Sequence, residues 1–374
     1  MKAIQTVFSA ALLTAVSALA LSPAQASSNP PGLEPLGLPP EPADNKTTPE
    51  KVELGKLLFF DGRLSGDTST ACVACHSPSS GWAVQAPLSF GYPGTVHWRN
   101  SQTIVNSAYY GKLFWAGSAK SLEAQAKSAA SGAVAGNGES DMMEARLAFV
   151  PEYRKRFKEV FGDEWPVIGN AWLAIAAFER TLVQTDTPYD NYLKGDQSAL
   201  TDQQKRGLDL FVGKAQCATC HSGPLLSNEK YYNLGVPPAT DWDDDGLAQI
   251  SFRYELYAKG STEEMYRKTK DDPGFYFRSK EEADKGKFRV PSLRYTKYTQ
   301  PYMHNGQLET LKDVVEFYNA GGGENEFAKN KTDLIKPLGL SPRDVDDLVA
   351  FIESMSGEEI LMDYPTLPED APLP

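Results

Sequence analysis

Residues 72–76 read C-V-A-C-H and residues 217–221 read C-A-T-C-H. The two pentads take all four cysteines, Cys72, Cys75, Cys217 and Cys220, and two of the four histidines, His76 and His221. At this spacing two thiols add across the vinyl groups of a haem, and the adjacent histidine becomes the axial ligand of its iron. Two such pentads imply two covalently bound c-type haems. Other paired-thiol chemistry fits less well. Disulfides leave the histidine after each pair unexplained. A zinc site sits poorly with thiols in an exported chain. A thioredoxin-like pair needs a βαβ context, and none is visible.

With two haems, the sixth position on each iron decides the function. A strong ligand there favours electron transfer, whereas an empty or weakly held position permits peroxide or dioxygen activation. His97 and His304 are the remaining histidines and stand as candidate distal groups, against the plainer reading of hydrogen-bonded loop histidines. Trp115 follows Tyr109, Tyr110 and Phe114 and could bridge two haems or simply pack. Tyr318, taken alone, reads as a core or surface tyrosine.

The elements that must position these groups are helical. Apolar spacing predicts helices over 50–60, 122–130, 142–149, 152–161, 166–183, 308–318 and 345–354. Thr201 with Gln204 three residues on resembles a capping box that opens the helix before the second pentad. Ser341-Pro342 is a helix start. A G-x-x-L-F-like segment precedes each pentad, a weak internal repeat consistent with duplication of one haem-binding unit. Residues 223–286 read mostly as loop, 187–195 as a polar turn, and the acidic cluster 241–245 as a solvated turn. No strand series is evident. The expected class is all-α, two cytochrome c-like haem domains with long connecting loops.

The chain has 374 residues, room for two domains, and a net charge of -12, which argues against nucleic-acid binding. Residues 1–26 have the shape of a signal peptide ending in Ala24-Gln25-Ala26, and nothing later resembles a membrane span. The expected organisation is a signal peptide at 1–26 and a flexible leader at 27–48. An N-terminal haem domain at 49–190 and a C-terminal one at 191–374 would follow. Haem attachment by this motif occurs outside the bacterial cytoplasm, so the expected location is the periplasm of a Gram-negative bacterium.

Several longer segments resemble the bacterial dihaem cytochrome c peroxidase and MauG superfamily. They include GKLLFFDGRLS at 55–65, RNSQTIVN at 99–106, LFWAGSAKSLEAQAK at 113–127, AIAAFERTLV at 174–183 and GLDLFVGKAQCATCHSGP at 207–224. FRVPSLRYTKYTQPYMHNGQLETLKDVVEFYNAGG at 288–322 and DVDDLVAFIESM at 344–355 complete the set, which spans residues 50–355 in order. The resemblance implies one haem per domain with a calcium ion between them. It places Trp115 between the haems, Asn100, Thr299 and Pro301 at the calcium, Gln125 in the distal pocket, and His304 in the P-Y-x-H-x-G motif.

Two positions depart from the peroxidase pattern. Fourteen residues after His304 the peroxidases carry a methionine ligand, and this chain has Tyr318, as in MauG. Ten residues after Gln125 the family's acid/base glutamate is replaced by Ala135. Glu139, Asp141 or His97 are candidates to move protons in its place. His97 lies closer to Arg99 than the loop histidine of the peroxidases does.

Tyr318 favours a MauG-like enzyme. Such an enzyme forms a high-valent iron state with hydrogen peroxide and oxidises Trp or Tyr side chains of a partner protein by long-range electron transfer. Met303 is a rival ligand at the variable position of its motif. The alternatives are a peroxidase drawing electrons from a small cytochrome or cupredoxin, and a dihaem electron-transfer cytochrome with no enzymatic activity.

Overall fold

The computed structural model describes residues 32–371, so the expected signal peptide and the first residues of the leader lie outside the described part. Among the described residues the chain is helical, with two two-residue antiparallel ladders.

The helices of the first half are α1 (Pro49–Phe60), α2 (Leu122–Ser131), α3 (Ser140–Ala148), α4 (Pro151–Phe161) and α5 (Ile168–Glu179). Thr48 caps α1 by accepting a hydrogen bond from the Lys51 N–H, and Pro49 occupies its first turn. The α1 residues Leu54, Leu57, Leu58 and Phe59 are buried with Ile175 and Phe178 of α5 and with Tyr153 and Phe157 of α4. Where α1 meets α5 the backbones nearly touch, and a Cβ on Gly55 would overlap the Ala174 carbonyl. Pro151 sits at the first position of α4, where its missing N–H costs nothing.

The second half contains α6 (Pro188–Leu193), α7 (Asp202–Val212), α8 (Gly246–Ala258), α9 (Glu263–Lys268), α10 (Tyr276–Ser279), α11 (Leu311–Asn319) and α12 (Pro342–Glu353). The capping box of Thr201 and Gln204 is formed at α7, and Ser341 with Asp344 forms another at α12. The α7 helix crosses α12 as α1 crosses α5, and a Cβ on Gly207 would overlap the Asp347 carbonyl. The G-x-x-L-F-like repeat is thus a repeat of helix crossings, each made close by its glycine.

Three expectations change. Residues 223–286, read as loop, contain α8, α9 and α10. The inner face of α8 buries Ala248, Phe252 and Leu256, a four-residue spacing, against Trp98 and Trp242. The expected turn at 187–195 contains α6, whose Tyr189 and Leu193 pack into the second core. Leader residues 32–48 are irregular but packed, with Leu33 and Leu36 buried and the Leu36 N–H bonded to Asp190.

The ladders join β1 (Phe90–Gly91) to β2 (Thr95–Val96) and β3 (Tyr231–Tyr232) to β4 (Phe288–Arg289). The last residues cross back over the first core. Ile360, Met362 and Leu367 pack on it, and Tyr364 meets Phe60 edge-on at 5.0 Å. Among the described residues no helix is long and apolar enough to cross a membrane.

Candidate functional site

Each pentad begins a 3-10 turn, Cys72–Ala74 or Cys217–Thr219. The turn brings the histidine N–H onto the first cysteine's carbonyl, at 3.1 Å for His76 and 2.9 Å for His221. No disulfide joins any of the four cysteines. His76 Nδ1 lies 3.2 Å from the Trp82 carbonyl, and His221 Nδ1 lies 3.1 Å from the Leu226 carbonyl. A carbonyl only accepts, so Nδ1 carries the hydrogen in both rings and Nε2 keeps its lone pair for a metal. Burial pushes both imidazoles down to about pH 4, which keeps them neutral, as iron ligands must be. Trp82 and Leu226 both adopt left-handed backbone, at φ 56° and 53°. The same strained turn therefore aims a carbonyl at each proximal histidine, and the pentad spacing alone does not reveal it.

The second pentad opens on a cavity of about 250 Å³. Cys217, Cys220 and His221 line it on one side. From α11, Leu311, Val314, Val315 and Tyr318 line it, positions three and four apart that form one helical stripe. Tyr318 ends this stripe and is thereby turned toward the haem-binding space. Burial, with the Cys217 and Cys220 thiols close by, holds its phenol well above the usual range. Met303 lines the same cavity at φ 73°. The paired cysteines, the Nε2 of His221 and a mainly apolar wall fit a covalently held haem. Tyr318 and Met303 are among the lining side chains able to offer its iron an oxygen or a sulfur, with Tyr110, Tyr232 and Tyr302 also on the wall.

Asn100, Thr299 and Pro301 line this cavity as well. Asn100 Nδ2 donates to the Ala86 and Pro87 carbonyls at 3.0 and 3.2 Å, and among the described residues its Oδ1 is unengaged. Neutral oxygens of this kind suit calcium. Among the described residues no cluster of three or more His, Cys, Asp or Glu could hold a metal.

Trp115 stands on the same wall. Its indole N–H donates to the Asn100 carbonyl at 2.8 Å, and its ring meets His304 edge-on at 6.4 Å. His304 is buried and stacks on Phe288 at 3.8 Å. Burial pushes it down to about pH 4. Trp115, His304 and Tyr318 therefore share one cavity with the second pentad, although they are up to 203 residues apart in sequence.

The residues expected around the first haem lie on other elements. Gln125 is half-buried on α2. Glu139 and Asp141, candidates to replace the missing glutamate, are exposed at the start of α3. His97 follows β2, stacks on Trp98 at 4.0 Å, and accepts the Arg99 N–H on Nδ1 at 3.1 Å. In that tautomer Nε2 carries the hydrogen and offers iron no lone pair, so His97 is placed to donate rather than to ligate.

Two buried carboxyl groups escaped the sequence reading, Asp272 beside His304 and Glu179 close to Cys72. Asp272 takes a bidentate bond from Arg99 at 2.5 and 2.9 Å and the Trp98 indole N–H at 3.1 Å. Burial opposes its charge, but Arg99 holds it below the usual carboxylate range. Glu179 is buried, and its Oε2 has no hydrogen-bond partner among the described residues. Burial pushes it up to about 8, against the pull of Arg180, and it is close enough to raise the Cys72 thiol. A glutamate within the apolar run A-A-F-E-R was a visible signal for it. Nothing in sequence pairs Arg99 with Asp272.

The family model described as di-haem cytochrome c peroxidase matches residues 49–198. The chain is 54% identical over 363 residues to a protein named cytochrome-c peroxidase IdrP1 from Denitromonas iodatirespirans, covering 96% of each. It is 35% identical to the methylamine utilization protein MauG of Methylorubrum extorquens, over 88% of this chain and 84% of that one. Among solved structures, it resembles a MauG-like protein associated with microbial copper homeostasis. The TM-score is 0.74 at 28% identity, over 89% of this chain and 96% of that one.

Proposed function

The chain belongs to the di-haem cytochrome c peroxidase family and is a haem-dependent peroxidase-type oxidoreductase, and we propose that it reduces hydrogen peroxide with electrons from a small redox protein. In this reading Tyr318 would hold the iron of the second haem. The name of the relative 54% identical over nearly the whole chain supports the donor class. The observation that carries the two-site reading is the α11 stripe, which puts Tyr318 in one cavity with Cys217, Cys220 and His221.

Bound haems supply the redox chemistry, in which peroxide takes up two electrons and two protons and leaves as two waters. His76 and His221 would each offer Nε2 to an iron, their rings held by the Trp82 and Leu226 carbonyls on Nδ1. Gln125 is the side chain expected to orient peroxide. With alanine at 135, a proton must come from a donor such as the His97 Nε2–H or from water. Trp115, in van der Waals reach of the second cavity, is the expected path for electrons between the sites. Calcium held by Asn100, Thr299 and Pro301, and a periplasmic location set by residues 1–26, belong to the same proposal.

Tyr318 itself favours a second reading. An anionic oxygen ligand stabilises oxidised iron more than a thioether does. Oxidising equivalents would then last long enough to be passed to Trp or Tyr side chains of a protein partner.

One experiment separates the readings: stoichiometric hydrogen peroxide is added to the diferric protein, followed by optical and EPR spectroscopy. Rapid turnover of a reduced small cytochrome or cupredoxin supports the first. A long-lived oxidised state with little turnover supports the second. Absence of any reaction overturns both and leaves an electron-transfer cytochrome.

A further inference from the structure

Two arginines in the stretch F-R-V-P-S-L-R, Arg289 and Arg294, are buried, and both line the second cavity. They are treated very differently. Arg294 has a carboxylate partner, since its Nη1 and Nη2 bond the two oxygens of fully buried Asp190 at 2.8 and 2.9 Å. Arg289 has none among the described residues. Its guanidinium reaches only neutral acceptors, the Phe114 carbonyl at 3.3 Å, the Val290 carbonyl at 3.2 Å and Gln102 Oε1 at 3.2 Å. Tyr110 covers its face at 4.0 Å. The guanidinium fork has five N–H donors, and the remaining ones are unengaged.

A buried cation without an anion is costly, and proteins retain one where a partner arrives from outside the chain. The planar fork of arginine matches a carboxylate in particular. We propose that Arg289 is a carboxylate-binding site for a propionate of the haem in the second cavity, and that its charge raises the reduction potential of that haem.

The position of Arg289 makes the charge consequential for electron flow. Its backbone N–H donates to the Trp115 carbonyl at 2.9 Å, and its side chain bonds Gln102, which also lines the cavity. It therefore stands in the wall from which Trp115 also projects. A buried positive charge stabilises the reduced, less positive haem. Arg294 does not act in this way, because Asp190 neutralises it locally.

This inference rests on the second cavity holding a haem, so haem content is measured first. Two haems per chain by pyridine haemochrome are expected in the wild-type protein, and a single haem would overturn the cofactor reading itself. Potentiometric titration of the holoprotein then tests the arginine. Arg289→Gln is expected to lower the midpoint potential of the second haem and to leave the first nearly unchanged. Arg289→Lys keeps the charge and is expected to restore most of the shift, which a purely structural role would not do. Two haems with both potentials unchanged in Arg289→Gln would overturn the proposal, as would an equal fall in the lysine variant. If the glutamine variant does not fold, the lysine variant decides alone: a potential close to wild type supports the inference and a large fall rejects it.

Discussion

Tyr318 and Glu179 are the two side chains whose surroundings most constrain the chemistry. Tyr318 is kept protonated by burial in the absence of a metal, and binding to ferric iron would displace that proton. Under the tyrosinate reading, Tyr318→Met keeps the second haem but shortens any long-lived oxidised state at least about tenfold, a change of roughly 1.4 kcal/mol. Decay of the peroxide-oxidised spectrum measures this, and an unaltered lifetime would remove Tyr318 as a ligand. Glu179 carries a stability prediction. Its carboxyl is raised from an ordinary 4.5 to about 8 by burial. Between these values the folded chain keeps a proton that the unfolded chain has lost, so stability falls as pH rises through the window. The slope is at most about 1.4 kcal/mol per pH unit. Urea unfolding between pH 5 and pH 8 (roughly the span of the shift) should show this decline in the wild-type protein and a flatter profile in Glu179→Gln.

The helix crossings are the next scale up. Gly55 lets α1 lie against the Ala174 carbonyl, and Gly207 lets α7 lie against the Asp347 carbonyl. An alanine at either site must push two helices apart, which costs about 3 kcal/mol or more. Gly55→Ala should lower thermal stability and disturb the first haem spectrum, and Gly207→Ala the second. Differential scanning calorimetry with optical spectra checks both, and an alanine variant of wild-type stability would contradict the crossing geometry. These elements were legible in sequence because α1, α5, α7 and α12 carry local signals: a cap, an apolar stripe and a glycine. The helices between residues 240 and 286 were not. The inner stripe of α8, Ala248, Phe252 and Leu256, is interleaved with exposed Leu247, Ile250, Tyr254 and Tyr257, so no polar face marks it as amphipathic. The site divides along the same line. The pentads are local, and the haem expectation followed from them. The Arg99–Asp272 pair spans 173 residues, and the left-handed turns at Trp82 and Leu226 exist only in the fold.

Over the whole molecule, the end of the chain ties the second half to the first haem site. The Trp82 indole N–H donates to the Ile360 carbonyl at 2.7 Å, and the Trp82 carbonyl in turn accepts from His76 Nδ1 at 3.2 Å. Ile360 is itself held by the Tyr295 hydroxyl at 2.7 Å, and farther on Arg63 bonds Asp370 at 3.0 Å. The hydrogen bond to a proximal histidine adjusts its donor strength toward iron. A segment from the far end of the chain thus fixes the residue that orients His76. Removing residues 358–374 should lower the melting temperature, because Tyr364 and Leu367 no longer cover the first core. It should also raise the midpoint potential of the first haem while sparing the second, since a loosened Trp82 carbonyl makes His76 a weaker donor. Trp82→Phe deletes the indole N–H with less loss of bulk and should shift the potential in the same direction by a smaller amount. A melting temperature that falls while both potentials hold would reduce the segment to a cover for the core, with no hand in the iron's surroundings.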